Sequence, residues 1–257
     1  MSTLPQTNTG TYDAAAFAAD ALSSPQQLAA LLDHTLLKPD ATRNQVLQLC
    51  REAAEYRFAC AMVNPFWVST AVSALAGTGI PVGVVIGFPL GATLSASKRD
   101  ETARVLKYGA HDVDMVLNVG LLKSGQPGDY EALQQDIRGV VELAHGAGAI
   151  VKVILETCLL NYEEKLRASE IALAAGADFL KTSTGFANGG ATVDDIAILR
   201  GVAGARAGVK ASGGIRSLHD ARLMLEAGAS RIGASASVKI LAELRGEIPT
   251  ATAPAGY

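Results

Sequence analysis

The stretch IALAAGADFLKTSTG, residues 171–185, contains the signals that decide the fold. An Ala- and Leu-rich run of helical period ends at Gly176, and the apolar run ADFLKTS after it is typical of a strand. Glycine at this place provides the left-handed backbone with which a helix ends before the chain enters a strand. The same Gly-Ala pair recurs at 109–110, 148–149 and 228–229. The sequence therefore repeats one helix-to-strand unit.

Short β-branched runs alternate with longer stretches of helical period along most of the chain. Strands are predicted at 32–37, 58–63, 81–86, 113–118, 149–155, 178–183, 208–212 and 230–234. Helices are predicted at 43–56, 66–76, 97–108, 129–145, 163–175, 193–203 and 217–227. Eight strands separated by helices indicate an α/β protein with a single closed parallel barrel, the (β/α)8 or TIM barrel. The alternative is an open doubly wound sheet, but no G-x-G-x-x-G motif follows the first strand.

Length and composition fit one large domain. The chain has 257 residues, of which 49% are hydrophobic and 18% are charged, and α/β barrels reach about 250 residues as one domain. The barrel domain is assigned to residues 23–246. Residues 1–22 are expected to form a loosely ordered N-terminal extension, and residues 247–257 a flexible C-terminal tail.

Charge and motif content exclude several classes of function. The net charge is −3 and no basic stripe stands out, so nucleic acid is not an expected partner. The three cysteines and four histidines show no ligand spacing, so neither a metal nor another cofactor is expected. The chain does not begin like a signal peptide and has no apolar run of about 18 residues, which predicts a cytoplasmic protein without membrane contact.

Polar residues fall near the ends of the predicted strands, where the chemistry of barrel enzymes takes place. Lys152, Lys181 and Lys210 lie on the fifth, sixth and seventh strands, and Asp114 lies on the fourth. Burial and nearby positive charge lower the pKa of a lysine, and a partly neutral amine attacks carbonyl groups to form a Schiff base. Asp114 and Lys152 complete a proton-handling network in this interpretation. The alternative is a set of buried salt bridges, but three lysines and an aspartate on consecutive strands favour a reaction site.

Glycine-rich turns follow the last three predicted strands. In barrels of this kind the loops after strands seven and eight, with a helix N-terminus, form a recurrent phosphate site. Free backbone N–H groups and the helix dipole hold the anion there. The candidate phosphate contacts are Gly185, Gly213, Gly214, Gly233 and Ser235. Together with the lysines, they predict a phosphorylated substrate whose carbonyl end lies near a nucleophilic amine.

The sequence resembles the deoxyribose-phosphate aldolase family from about residue 25 to about residue 242. The matching segments, in family order and spacing, are DHTLLKP (33–39), MVNPFWV (62–68), GFPLGA (87–92), DVDMVLNVG (112–120), VKVILET (151–157), FLKTSTGF (179–186), VKASGGIRS (209–217) and RIGASAS (231–237). The resemblance implies a metal-independent class I aldolase on a (β/α)8 barrel. Such an enzyme reversibly cleaves 2-deoxy-D-ribose 5-phosphate to acetaldehyde and D-glyceraldehyde 3-phosphate, in the catabolism of deoxyribose phosphates.

The resemblance also implies roles for individual residues. Lys181 would form the Schiff base, Lys210 would lower its pKa, and Asp114 would donate and accept the proton. Tyr257, at the end of the tail, would assist proton transfer if it reached the active site. The implied phosphate and substrate contacts are Gly185, Ser212, Gly213, Gly214, Gly233 and Ser235, with Thr35 and Asn64 near the substrate. Lys152 is also assigned to the substrate site, on the basis of its place on the fifth strand.

Two other functions stay open at this point. One is another Schiff-base aldolase or a transaldolase, which would share the lysine and prefer a ketose donor. The other is a phosphosugar-binding barrel without activity, which would have no use for a neutral lysine. The expected partners are small phosphorylated sugars and aldehydes, and the chain is expected to form a homo-oligomer.

Overall fold

The structure is a computed structural model, and it describes residues 12–247. Its centre is a closed barrel of eight parallel strands, each paired with the strands before and after it in the sequence. This confirms the predicted (β/α)8 barrel and excludes the open sheet. The strands are β1 (Leu32–Leu36), β2 (Cys60–Val63), β3 (Val82–Ile86), β4 (Asp112–Val116), β5 (Ile150–Ile154), β6 (Phe179–Lys181), β7 (Gly208–Ser212) and β8 (Arg231–Ala234).

Helices fill the connections between the strands and cover the barrel. Their apolar faces pack on the outward faces of the strands in one large core. The helices are α1 (Ala14–Ala21), α2 (Pro25–Ala29), α3 (Arg43–Tyr56), α4 (Val68–Leu75), α5 (Ser95–Lys107), α6 (Val119–Ser124), α7 (Pro127–Gly146), α8 (Tyr162–Ala174), α9 (Val193–Ala203), α10 (Leu218–Glu226) and α11 (Ser237–Leu244), with single 3-10 turns at Pro65–Trp67 and Thr157–Leu159.

No helix within residues 12–247 is long and apolar enough to cross a bilayer.

The Gly-Ala pairs that follow the helices have the expected geometry. Gly176, for example, follows α8 with φ +96°, and Gly228 follows α10 with φ +115°. Both values lie in the left-handed region, where a side chain would be strained.

The prediction that the first 22 residues are loosely ordered is wrong for Ala14–Ala21, which form helix α1. Asp13 caps this helix by accepting a hydrogen bond from the backbone N–H of Ala16 at 2.9 Å. The side chain of Phe17 is buried in the core, and α1 packs against α10. The tail over residues 248–257, including Tyr257, lies outside the described residues.

The predicted strand 178–183 is longer than the real one, because β6 ends at Lys181. Beyond that point the chain leaves regular pairing. Thr182 donates its backbone N–H to the carbonyl of Lys210 at 3.1 Å and its hydroxyl to the carbonyl of Ser212 at 3.0 Å. Both a backbone bond and side-chain bonds therefore hold the residue after Lys181 against β7.

Arg200 of α9 ties the amino-terminal end of the barrel together. Its guanidinium carbon lies 3.7 Å from the ring centroid of Tyr12, the first described residue. The guanidinium is buried and donates several hydrogen bonds, so it links α9 to several loops at once. Its hydrogen-bond acceptors are the carbonyls of Gly204, Ala207 and Gly228 and the hydroxyl of Ser230.

We expect Arg200→Met to lower the free energy of unfolding by about 3 kcal/mol, because it leaves several buried carbonyls without donors. The measurement is chemical denaturation of both proteins at the same pH. Arg206→Met is the matched control, since Arg206 is 63% exposed and its ion pair with Glu170 is long, at 3.8 Å. This control should change stability by less than about 0.5 kcal/mol. Equal effects of the two substitutions would contradict the assignment.

Candidate active site

The three predicted lysines lie on neighbouring strands of the barrel and are all buried. Strand register places Lys152 of β5 beside Asp114 of β4, and Lys181 of β6 beside Lys210 of β7. The side chains converge inside the barrel, where Asp114 binds all three ammonium groups. The structure therefore brings together the four residues that the sequence singled out for chemistry.

Lys181 and Lys210 share a single oxygen atom of Asp114. The Nζ of Lys181 lies 2.8 Å from Oδ2 of Asp114, and the Nζ of Lys210 lies 2.7 Å from the same atom. The other oxygen, Oδ1, lies 3.2 Å from the Nζ of Lys152. Because one carboxylate oxygen bridges two amines, a proton can pass between Lys181 and Lys210 through it without large movement.

A second layer of charge surrounds this centre, and it includes residues that the sequence analysis did not assign. Asp33 of β1 accepts hydrogen bonds from Lys210 and, at 3.0 Å, from Arg231 of β8. Asp112 of β4 accepts one from Lys152 at 2.6 Å. The complete buried or half-buried cluster has four basic and three acidic members, namely Lys152, Lys181, Lys210 and Arg231 with Asp33, Asp112 and Asp114.

Asp33 and Arg231 gave a weak sequence signal. Each interrupts an apolar strand, as the lysines do, but a single charge in a strand does not reveal its partner. Their pairing depends on the closure of the barrel, which brings β1 beside β8 with Asp33 opposite Gly233. The two residues are 198 positions apart in the chain.

The pKa of Lys181 is lowered to about 8. Burial is the main cause, and the positive charges of Lys210 and Lys152 add to it, while Asp114 acts in the opposite direction. The pKa of Lys152 is raised, because Asp112, Asp114 and Asp33 outweigh its desolvation. A substantial fraction of Lys181 is therefore neutral slightly above neutral pH, whereas Lys152 stays charged.

Two carboxylates in the cluster, Asp114 and Asp33, are held in their ionised forms. Burial alone would raise the pKa of Asp114, but Lys152, Lys181 and Lys210 hold it well below its usual range. The pKa of Asp33 falls to about 2, because Lys210, Arg231 and Lys152 overcome its desolvation. The site thus combines stable anions with one amine that can lose its proton.

The predicted glycine contacts form a compact group of loops beside the lysines. Gly185 and Gly213 have φ values of +82° and +87°, and a Cβ on Gly213 would lie 3.0 Å from the Cα of Gly190. Ser212 donates its hydroxyl to the carbonyl of Ser183 at 2.6 Å and so ties the β7 loop to the β6 loop. Backbone from two consecutive connections therefore meets here without intervening side chains.

The remaining predicted contacts are spread around this group. Gly214 also has a positive φ, of +82°, and Ser235 is exposed just before α11. Gly233 lies deeper, and a Cβ at this position would come within 2.9 Å of the Cε of Lys210. Strand β8 therefore needs a residue without a side chain for Lys210 to reach Asp114.

Thr35 and Asn64 are half-buried, and both donate to nearby backbone carbonyls. The hydroxyl of Thr35 donates to the carbonyl of Asp33 at 2.7 Å. The amide of Asn64 donates to the carbonyl of Leu37 at 3.0 Å and so links the ends of β1 and β2. Their predicted substrate contacts stay predictions.

Among the described residues, one acidic group has the spacing of a metal site. It consists of Asp33, Cys60 and Asp112, all buried. Asp33 is bound by Lys210 and Arg231, and Asp112 is bound by Lys152. Cationic side chains therefore bind these two carboxylates, and burial raises the pKa of the Cys60 thiol well above its usual value. The expectation that no metal binds stays a prediction.

A closed (β/α)8 barrel with a buried, partly neutral lysine beside two further lysines defines a barrel enzyme that reacts with carbonyl compounds through an amine. The chain belongs to the DeoC/LacD family of aldolases, whose family model matches residues 28–243. The family predicted from the sequence motifs is thereby confirmed.

Several curated relatives are named deoxyribose-phosphate aldolase. One from Bacillus cytotoxicus is 55% identical over 214 residues, which cover 83% of this chain and 94% of the relative. One from a Geobacillus species is 52% identical over the same shares of both chains. A solved structure described as a tetrameric deoxyribose phosphate aldolase from Aeropyrum pernix has a TM-score of 0.83 and 38% identity, with 91% of this chain and 97% of that chain covered.

We expect Asp114→Asn to lower the pKa of Lys181 below its value of about 8, because the anion that favours the ammonium form is lost. The substitution should also cost about 3–5 kcal/mol of stability, since it leaves buried ammonium groups without their shared partner. The measurement is an NMR titration of the Lys181 side chain together with chemical denaturation. Asp112→Asn is the control, because Asp112 contacts Lys152 and not Lys181. An unchanged or raised pKa in Asp114→Asn would contradict the argument.

Proposed function

We propose that this protein is a deoxyribose-phosphate aldolase, which reversibly cleaves 2-deoxy-D-ribose 5-phosphate to acetaldehyde and D-glyceraldehyde 3-phosphate without a metal. The observation that carries the proposal is Lys181, a buried lysine with a pKa of about 8 that shares an oxygen of Asp114 with Lys210. The names of relatives at 52% and 55% identity support the choice of substrate.

The reaction begins at the amine of Lys181. In its neutral form Nζ attacks C1 of the open-chain aldehyde, and water leaves to form an iminium ion. The iminium is a far better electron acceptor than the aldehyde, which is the chemical reason for using a lysine. Asp114 lies 2.8 Å from the same nitrogen and provides the counter-charge for the cation that forms.

The C2–C3 bond breaks next. The carboxylate of Asp114, to which Lys210 donates a hydrogen bond, takes the proton from the C3 hydroxyl. The electrons of the C2–C3 bond move into the iminium, and an enamine of acetaldehyde remains on Lys181. Glyceraldehyde 3-phosphate departs as the first product. Protonation of the enamine at C2 and hydrolysis of the new iminium then release acetaldehyde and restore the amine.

The phosphate of the substrate binds at the glycine loops in this proposal. Backbone N–H groups around Gly185, Gly213 and Gly214 donate to its oxygens, and Ser235 and the N-terminal end of α11 lie on the next connection. The positive φ values of these glycines support the proposal, because side chains at such positions would be strained. The phosphate then fixes the sugar with C1 toward Lys181.

Assembly and location are proposed on more general grounds. A homo-oligomer is supported by the description of the Aeropyrum pernix relative as tetrameric. The cytoplasmic location and the role of Tyr257 in proton transfer stay predictions, the latter because Tyr257 lies outside the described residues.

The test of this function is reduction with borohydride in the presence of acetaldehyde or 2-deoxyribose 5-phosphate, followed by peptide mass mapping. We expect a substrate-dependent adduct on Lys181 and none in Lys181→Leu. Lys239→Leu removes an exposed lysine and should keep the adduct. Absence of an adduct from the unchanged protein, with ligand still bound, would overturn the proposal in favour of a binding barrel. A strong preference for ketose donors would favour a transaldolase.

We expect kcat/KM for cleavage to rise with pH up to about 8 and then to level off. Only the neutral amine of Lys181 attacks the aldehyde, and its fraction grows about tenfold per pH unit below the pKa of about 8. The measurement is the initial rate at low substrate concentration between pH 5 and pH 10. A rate that already reaches its plateau at pH 6 would contradict the assignment of Lys181 as the titrating nucleophile.

A further inference from the structure

Glu156 has an unusual backbone for a side chain of its size. Among the described residues only Arg57 and Glu156 have positive φ without being glycine, both at φ 56°. Such a conformation costs about 1–2 kcal/mol for an L-residue. Arg57 ends helix α3, where the left-handed conformation is usual. Glu156 lies between strand β5 and the 3-10 turn Thr157–Leu159, beside the active site, and no helix ends there to explain its conformation.

The conformation of Glu156 accommodates a one-residue mismatch between two chains. The N–H of Leu155 donates to the carbonyl of Lys181 at 2.9 Å, and the N–H of Thr157 donates to that of Thr182 at 3.0 Å. An interval of two residues after β5 is therefore paired with an interval of one residue after β6. Glu156 is the extra residue, in the manner of a β-bulge, and bulges at barrel rims re-aim side chains near active sites.

The mismatch turns the Glu156 carboxylate toward the loop after β6. Both carboxylate oxygens lie within hydrogen-bond distance of the backbone N–H of Thr184, at 3.2 and 3.4 Å, and Oε2 also accepts from its hydroxyl. The Thr184 hydroxyl oxygen in turn accepts the N–H of Phe186 at 3.0 Å. Gly185 lies inside this closed turn. Glu156, Thr184 and Phe186 therefore fix the backbone of Gly185.

We infer that Glu156 is a positioning residue that selects phosphorylated sugars by holding the Gly185 loop at a fixed place relative to Lys181. The N–H groups of its neighbours Leu155 and Thr157 donate to the carbonyls of Lys181 and Thr182. Its carboxylate accepts hydrogen bonds from the turn that contains Gly185. One residue thus sets the separation between the reacting amine and the phosphate-binding backbone. The inference rests on the proposed function, since it assumes that Lys181 and Gly185 act on two ends of one substrate.

The experiment compares Glu156→Gly with Arg57→Gly. Both substitutions put glycine at the same backbone conformation, but only the first removes a carboxylate from the Gly185 loop. Each variant is assayed on 2-deoxyribose 5-phosphate and on 2-deoxyribose, which lacks the phosphate. Thermal unfolding and borohydride trapping of acetaldehyde on Lys181 accompany both assays.

We expect Glu156→Gly to lower kcat/KM for 2-deoxyribose 5-phosphate by about 30-fold, mainly through KM, because the phosphate loop loses its charged acceptor. Its kcat/KM for 2-deoxyribose should change by less than about 3-fold, and acetaldehyde should still trap on Lys181. Arg57→Gly should leave the ratio of kcat/KM for the two substrates unchanged.

Equal losses on both substrates, or an unchanged ratio in Glu156→Gly, would overturn the inference and leave the proposed function standing. If Glu156→Gly does not unfold cooperatively, Thr184→Val provides the same comparison, because it removes the hydroxyl that binds the carboxylate, and an unchanged ratio in that variant overturns the inference as well. Failure of the unchanged protein to cleave 2-deoxyribose 5-phosphate or to trap acetaldehyde would overturn the proposed function, and the inference with it.

Discussion

The convergence of three buried ammonium groups on the carboxylate of Asp114 is the interaction on which the interior of this barrel depends. A buried charge is costly unless it is paired and hydrogen-bonded. Each lysine lies on a different strand, so the three ammonium groups can pair with Asp114 only when β4, β5, β6 and β7 are in register. The same contacts that would carry the chemistry therefore also fix the relative positions of the strands.

Close packing around these charges sets conditions on residues that have no charge. Lys210 reaches Asp114 because β8 has a glycine at position 233, where a Cβ would collide with the lysine side chain. The compact meeting of Gly185, Gly190 and Gly213 is likewise possible because no side chain separates the loops. Both the lysine cluster and the glycine loops therefore depend on positions that have no side chain.

The sequence predicts much of this arrangement, because its signals are local. Apolar runs between helical stretches, with Gly-Ala at the helix ends, are sufficient for the barrel, and a lysine in a buried strand is conspicuous without any partner. The pairing of Asp33 with Arg231 is not predictable in this way, since it depends on closure between the first and last strands. Helix α1 was missed because its alanine-rich residues lack a strong apolar period, and the core contact of Phe17 stabilises it. The role of Glu156 depends on a backbone angle that its residue type does not reveal.

The composition of the charged cluster has a consequence for the reactivity of the Lys181 amine. With every member ionised, the cluster contains four cations and three anions, one positive charge in excess in a poorly solvated interior. When Lys181 releases its proton, the cluster becomes electroneutral, which is consistent with the lowered pKa of about 8 at this amine. An iminium on the same nitrogen restores the excess charge, and the neighbouring carboxylate of Asp114 stabilises it. Cleavage of the carbon–carbon bond then leaves a neutral enamine on Lys181 and moves the excess charge, as the C3 hydroxyl proton, onto Asp114.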